Sequence, residues 1–109
     1  MVLKIYFNSS NEEFNKPLNK EVNGFIMKLL GKDNEYHGNQ SYYCVSSIQG
    51  GVCNDNGMTS FPNGAMVAVS ANEPQIIGKI VESLINKPSE LNIGSLTYKM
   101  MEMTEYSQF

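Results

Sequence analysis

One histidine, His37, is the side chain in this sequence best suited to moving protons at neutral pH, because an imidazole titrates near pH 6.5. It stands in a polar stretch, Lys32 to Ser41, beside Glu35 and Tyr36. Taken alone, a histidine in such a loop is most often a solvated side chain. Cys44 and Cys53 do not make a disulfide framework. With His37 they are too few and too irregularly spaced for a zinc centre, and they read as two reduced thiols. Gly50-Gly51-Val52 lacks the Lys-Ser or Lys-Thr that completes a phosphate loop. Glu12-Glu13, and Glu102 with Glu105, form no recognisable glycosidase pair. No metal and no cofactor is expected from these residues. Tyr6, Tyr42, Tyr43 and Tyr98 could stack on bases from a sheet face, although strand tyrosines more often pack against their neighbours. Met100, Met101 and Met103 suit an adaptable contact surface or the edge of a core.

The elements that must carry these residues follow from the apolar pattern. Val2 to Phe7 alternates as a strand. Asn8 to Asn15 is polar and turn-rich. Leu18, Val22, Phe25, Ile26, Leu29 and Leu30 recur at helical spacing, with Gly31 as the C-cap and Lys28 and Lys32 near the negative end. Gly24 weakens that helix, and close packing on a sheet would account for it. Tyr42 to Ile48 reads as a second strand, Tyr43 and Val45 on one face and Cys44 on the other. Val52 to Ser60 is Asn-rich and reads as irregular. Asn63-Gly64 signals a hairpin, and Ala65 to Ser70 is a strand suited to burial on both faces. Asn72 and Gln75 can cap a second helix, whose apolar face holds Ile76, Ile77, Ile80, Val81, Leu84 and Ile85. Leu91 to Met103 gives a strand or a hairpin about Gly94-Ser95, with Leu96, Tyr98 and Met100 alternating against Thr97, Lys99 and Met101. Glu105 to Phe109 reads as a frayed or cut end.

Strand, helix, strand, strand, helix, strand is the order of an α+β ferredoxin-like fold, an antiparallel sheet with both helices on one face; the competing reading is a generic α+β domain whose middle strands pair differently. The expected strand order is 4-1-3-2.

The chain has 109 residues, enough for one core. All eight basic residues are Lys, and the net charge is -3. That balance argues against strong nonspecific DNA binding, which depends on phosphate neutralisation. No apolar run is long enough for a transmembrane helix, so no membrane partner is expected. The first residues read as a strand and not as a signal peptide, which makes cytoplasm the expected compartment.

Four stretches in this order resemble the amino-terminal domain of the CRISPR-associated repeat-processing endoribonucleases of the RAMP superfamily. They are Leu3 to Phe7; Asn23 to Leu30; Tyr36-His37-Gly38 leading into Tyr42 to Ser47; and Phe61-Pro62-Asn63-Gly64 through Ser70, continuing through Glu73 to Lys87 and Ile93 to Met103. The resemblance implies one ferredoxin-like domain over 1–109, either the amino-terminal half of a longer protein or a shortened relative. It implies metal-independent processing of repeat RNA in antiviral defence, with a 2′,3′-cyclic phosphate as product. RNA, a CRISPR repeat transcript, is the implied partner, with a second ferredoxin-like domain or a homodimer mate.

In that family a histidine just before the second strand acts in cleavage, and His37 holds that place. The auxiliary candidates are Tyr36, Tyr42 and Lys32, and the candidate RNA contacts are Lys28, Lys32 and Tyr43. The chain also departs from the pattern. Met27 stands where some members carry a helix tyrosine, and Asn39-Gln40-Ser41 where some place a lysine. Little activity is therefore expected from this chain alone, and a noncatalytic RNA-binding or protein-assembly domain of the same fold is the competing reading.

Overall fold

Alternation in β1, Val2–Phe7, sends Leu3, Ile5 and Phe7 to one side and Lys4 and Tyr6 to the other. The first three are at most 2% exposed, and they define the face on which the core is built. The structure, a computed structural model, describes residues 2–15, 18–30, 43–71, 73–86 and 92–104. After β1 come β2 (Ser10–Phe14), α1 (Asn19–Leu30), β3 (Tyr43–Val45), β4 (Val52–Cys53), β5 (Thr59–Phe61), β6 (Ala65–Ala71), α2 (Pro74–Asn86), β7 (Asn92–Ile93) and β8 (Leu96–Thr104).

The main sheet runs β3-β6-β1-β8-β7, and every pairing in it is antiparallel. The four strands read from sequence take the expected 4-1-3-2 order, with β7 added at the edge. Both helices bury their apolar stripes on the same face. Val22, Phe25, Ile26, Leu29 and Leu30 of α1 join Ile76, Ile77, Ile80 and Leu84 of α2 in one cluster. Leu3, Ile5 and Phe7 of β1 and Val67 and Val69 of β6 complete it. Phe7 meets Phe25 edge to face at 5.3 Å, a favoured aromatic geometry. The Ser83 hydroxyl of α2 donates to the Leu29 carbonyl at 2.6 Å, giving a partner to one of the carbonyls that a helix end leaves open. The fold is ferredoxin-like.

Several sequence expectations are corrected. Asn8 to Asn15 is not merely a turn, because it contains β2. The region expected to be irregular holds β4 and β5, which join β2 in a second sheet of order β2-β5-β4. Polar residues form these strands because the partners are polar too. Glu12 Oε1 accepts from the Ser95 backbone N–H at 3.1 Å, and Glu13 Oε2 accepts from the side-chain amides of Asn54 at 2.7 Å and Asn56 at 3.1 Å. The one apolar anchor is Phe61, 2% exposed, with Phe14 edge-on to it.

Asn63-Gly64 does turn the chain, but it joins β5 of the small sheet to β6 of the large one rather than two paired strands. Ile85 is 64% exposed, off the buried stripe. Gly24 is exposed with open space around it, so no close packing explains it. The second strand is shorter than expected, Tyr43–Val45. The caps at Gly31 and Asn72 and the 105–109 tail lie outside the described residues.

Candidate nucleic-acid interface

Among the described residues the helices cover one face of the main sheet, and Tyr6 lies near the middle of the other. Tyr6 stands on the central strand, opposite Met66 of β6 on one side and Met100 of β8 on the other. The register between β1 and β8 then slips. Tyr6 faces Met100 while Phe7 faces Tyr98, which leaves Lys99 as an extra residue without a cross-strand partner. Such a bulge re-aims side chains. Lys99 and Met100 consequently both line a groove on the open face, where simple alternation would have put them on opposite sides. The bulge also corrects the expected phase of β8. Tyr98 and Met101 pack against the core, and Met100 is 46% exposed on the open side.

The groove encloses about 430 Å³. Its end wall is backbone. Gly50 and Gly64 have φ of 97° and 92°, a region that favours glycine. A Cβ on Gly50 would lie 2.6 Å from the Gly64 carbonyl oxygen, and one on Gly64 would lie 2.7 Å from that of Phe7. The segment is tied down where Gln49 and Met66 exchange backbone hydrogen bonds of 2.8 and 3.1 Å. Gln49 and Asn63 add side-chain amides to the lining. One aromatic ring, one ammonium and two amides therefore converge. The described lining has no carboxylate, imidazole or thiol. A second, polar notch of about 250 Å³ lies between α1 and β3, where Asn19, Asn23, Ser46 and Ser47 supply amides and hydroxyls.

The residues named from sequence are distributed unevenly about this geometry. His37, Tyr36, Tyr42 and Lys32 lie outside the described residues, in the stretch joining α1 to β3. Lys28 is exposed in the last turn of α1. Tyr43 is 4% exposed and belongs to the core cluster, so its ring offers no face to a base. The reason is parity: Tyr43 pairs with Ala71 and Val45 with Val69 on the helix-covered side, while Cys44 pairs with Ser70 on the open side. Burial raises the phenol pKa of both Tyr43 and Tyr98. Of the described strand tyrosines proposed for stacking, Tyr6 alone faces the open sheet. Cys44 and Cys53 are exposed and sit in different sheets.

Sequence reading missed Lys99, Gln49 and Asn63. The glycines at 50 and 64 were visible as turn signals, but the bulge that turns Lys99 has no sequence signature here.

No protein-family model and no curated protein matches the sequence. Solved structures do match in fold. A Cas6-related protein from Pyrococcus furiosus superposes with a TM-score of 0.72 at 18% identity, over 99% of this chain and 49% of its own. A RAMP protein binding different RNA substrates gives 0.70 at 16% identity, and the CRISPR associated protein Cas6 gives 0.65 at 13%. Both cover 100% of this chain and 50% of theirs. The chain thus spans about half the length of the structures it matches, and it shares their ferredoxin-like fold.

Proposed function

We propose that this chain is an RNA-handling domain, one ferredoxin-like half of a CRISPR repeat-processing endoribonuclease of the RAMP type, active in antiviral defence in the cytoplasm. The observation that carries the reading is the fold match over the whole chain to Cas6, Cas6-related and RNA-binding RAMP proteins of about twice its length. The remainder of the site would come from a second ferredoxin-like domain or from a homodimer mate.

The reaction assigned to the complete protein is metal-independent. A base removes the proton of a ribose 2′-hydroxyl, the 2′-oxygen attacks the adjacent phosphorus, and the bond to the 5′-oxygen breaks as an acid protonates that oxygen. The products are a 2′,3′-cyclic phosphate and a 5′-hydroxyl. His37 takes one of these two proton-transfer roles, since one imidazole serves only one of them per step. Tyr36 or Tyr42 is the candidate for the other, and Lys32 or Lys28 is the nearest cation in sequence to steady the developing charge.

A specific observation favours the noncatalytic alternative. Met27 of α1 stands in the place of the helix tyrosine and has no proton to share, and Asn39-Gln40-Ser41 brings no cation. The two readings separate in single-turnover cleavage of cognate repeat RNA with EDTA present. The enzyme reading expects His37→Ala in the full protein to lower the rate by about 100-fold or more, with binding nearly unchanged. It also expects a 2′-deoxy substitution at the cleaved position to abolish cleavage. Unchanged cleavage by the variant removes His37 from the mechanism, and absence of cleavage by the full protein favours the binding domain.

A further inference from the structure

We infer that the groove around Tyr6 and Lys99 seats one unpaired nucleotide of a single-stranded RNA. The inference rests on the RNA reading above but uses none of the residues assigned to cleavage. Its volume of about 430 Å³ falls within the range of small-ligand sites, roughly 300–1,000 Å³. The chemistry of its lining matches the parts of a nucleotide one by one. Tyr6 gives a ring on which any base can stack. Lys99 gives a point charge for the phosphate beside that base. Gln49 and Asn63 carry both donors and acceptors, which suit the hydrogen-bonding edge of a base.

The rigidity is right as well. Tyr6 is held on a strand paired on both sides, and the glycine wall lets backbone approach closely where a Cβ would collide. A duplex does not fit this arrangement, because its bases are stacked and paired and cannot enter a single-ring groove. A protein partner is less well matched. Beside the thioethers of Met66 and Met100, the described lining presents one ammonium and two amides, groups that an apolar partner would bury without pairing.

The experiment is fluorescence anisotropy of the whole protein with a labelled oligouridine of about ten nucleotides, at several salt concentrations. Tyr6→Leu is expected to weaken binding by about tenfold, and Tyr6→Phe, which keeps the ring, to restore it to within about twofold. Lys99→Gln is expected to make the slope of log affinity against log salt shallower by about 0.7, the share of one phosphate contact on a single strand. Lys79→Gln, on α2 at the far side of the sheet, should change the affinity little. Because Lys99 is exposed, its variant tests the site even if Tyr6→Leu folds poorly. In addition, 4-thiouridine in the oligonucleotide should crosslink to peptides containing Tyr6 or Met100.

Wild-type affinity and slope in both variants would overturn the seat while leaving the RNA reading standing. Failure of the wild type to bind any single strand would remove both. Unaltered RNA binding by Tyr6→Leu together with a change in its oligomeric state would make this face a protein interface instead, and would overturn the seat.

Discussion

Gly24 and Gly64 look alike in sequence and behave oppositely in the structure. Gly24 lies exposed within α1 with nothing near the position of a Cβ. Gly24→Ala is therefore expected to raise stability by about 0.5–1 kcal/mol, by restricting the unfolded chain and favouring the helix. Gly64 has φ of 92° and would place a Cβ 2.7 Å from the Phe7 carbonyl oxygen, so Gly64→Ala is expected to cost more than about 1 kcal/mol. Urea denaturation of the two variants measures both. Tyr43 is the residue whose titration should report on the core. Burial raises its pKa in the folded state, so below pH 10 both states hold the proton and Tyr43 adds no pH dependence. Above pH 10 the unfolded chain loses its proton first, and stability falls. Urea midpoints should fall as the pH rises through 10, and Tyr43→Phe should flatten part of that drop. An unchanged profile in the variant would show that Tyr43 is not the group responsible.

Among the elements, β8 matters most to the candidate site, because one inserted residue reassigns the faces of everything beyond it. Before the bulge, Leu96 and Tyr98 point to the core. After it, Met101 does, and Met100 is turned to the open face. Deletion of Lys99 would restore regular pairing, since Tyr98 already faces Phe7 and Met100 already faces Tyr6. The deletion variant is therefore expected to fold with the present register and to lose the cation from the groove. Amide exchange along β1 should remain protected, while the salt dependence of RNA binding becomes shallower. Loss of protection across Val2–Phe7 would mean that the bulge is needed for the sheet itself. The small sheet depends on different forces. Phe61 and the carboxylates of Glu12 and Glu13 hold it, so it is an appendage tied by side chains and not an extension of the main ladder.

For the whole molecule, the helices define which side is available. With both apolar stripes buried against Leu3, Ile5 and Phe7, any large ligand of the sheet must approach the face that carries Lys4, Tyr6, Met100 and Glu102. Lys4 and Glu102 stand directly opposite each other there, so these two opposite charges offset each other. With a net charge of -3 and no Arg, the chain should bind random duplex DNA weakly. Filter binding at about 150 mM salt is expected to show no submicromolar affinity, and a submicromolar result would contradict this account. No helix among the described residues is long and apolar enough to cross a membrane.

The sequence by itself determined the two helices, the four principal strands, their order in the sheet and the single covered face. The elements follow from apolar periodicity, clearest over Val22 to Leu30 and Ile76 to Leu84, and the strand order and covered face follow from the ferredoxin-like fold that their succession matches. It also singled out His37 by residue type and position, in a stretch outside the described residues. Only the tertiary structure decided which tyrosine meets solvent. Tyr6 and Tyr43 both lie on strands, and their faces depend on register against β6 and β8, a property of pairs of distant segments. The bulge at Lys99 was invisible for the same reason, since an extra residue is extra only relative to the strand beside it. The small sheet escaped notice because its strands are short and polar, held by carboxylate and amide hydrogen bonds that leave no hydrophobic period to read.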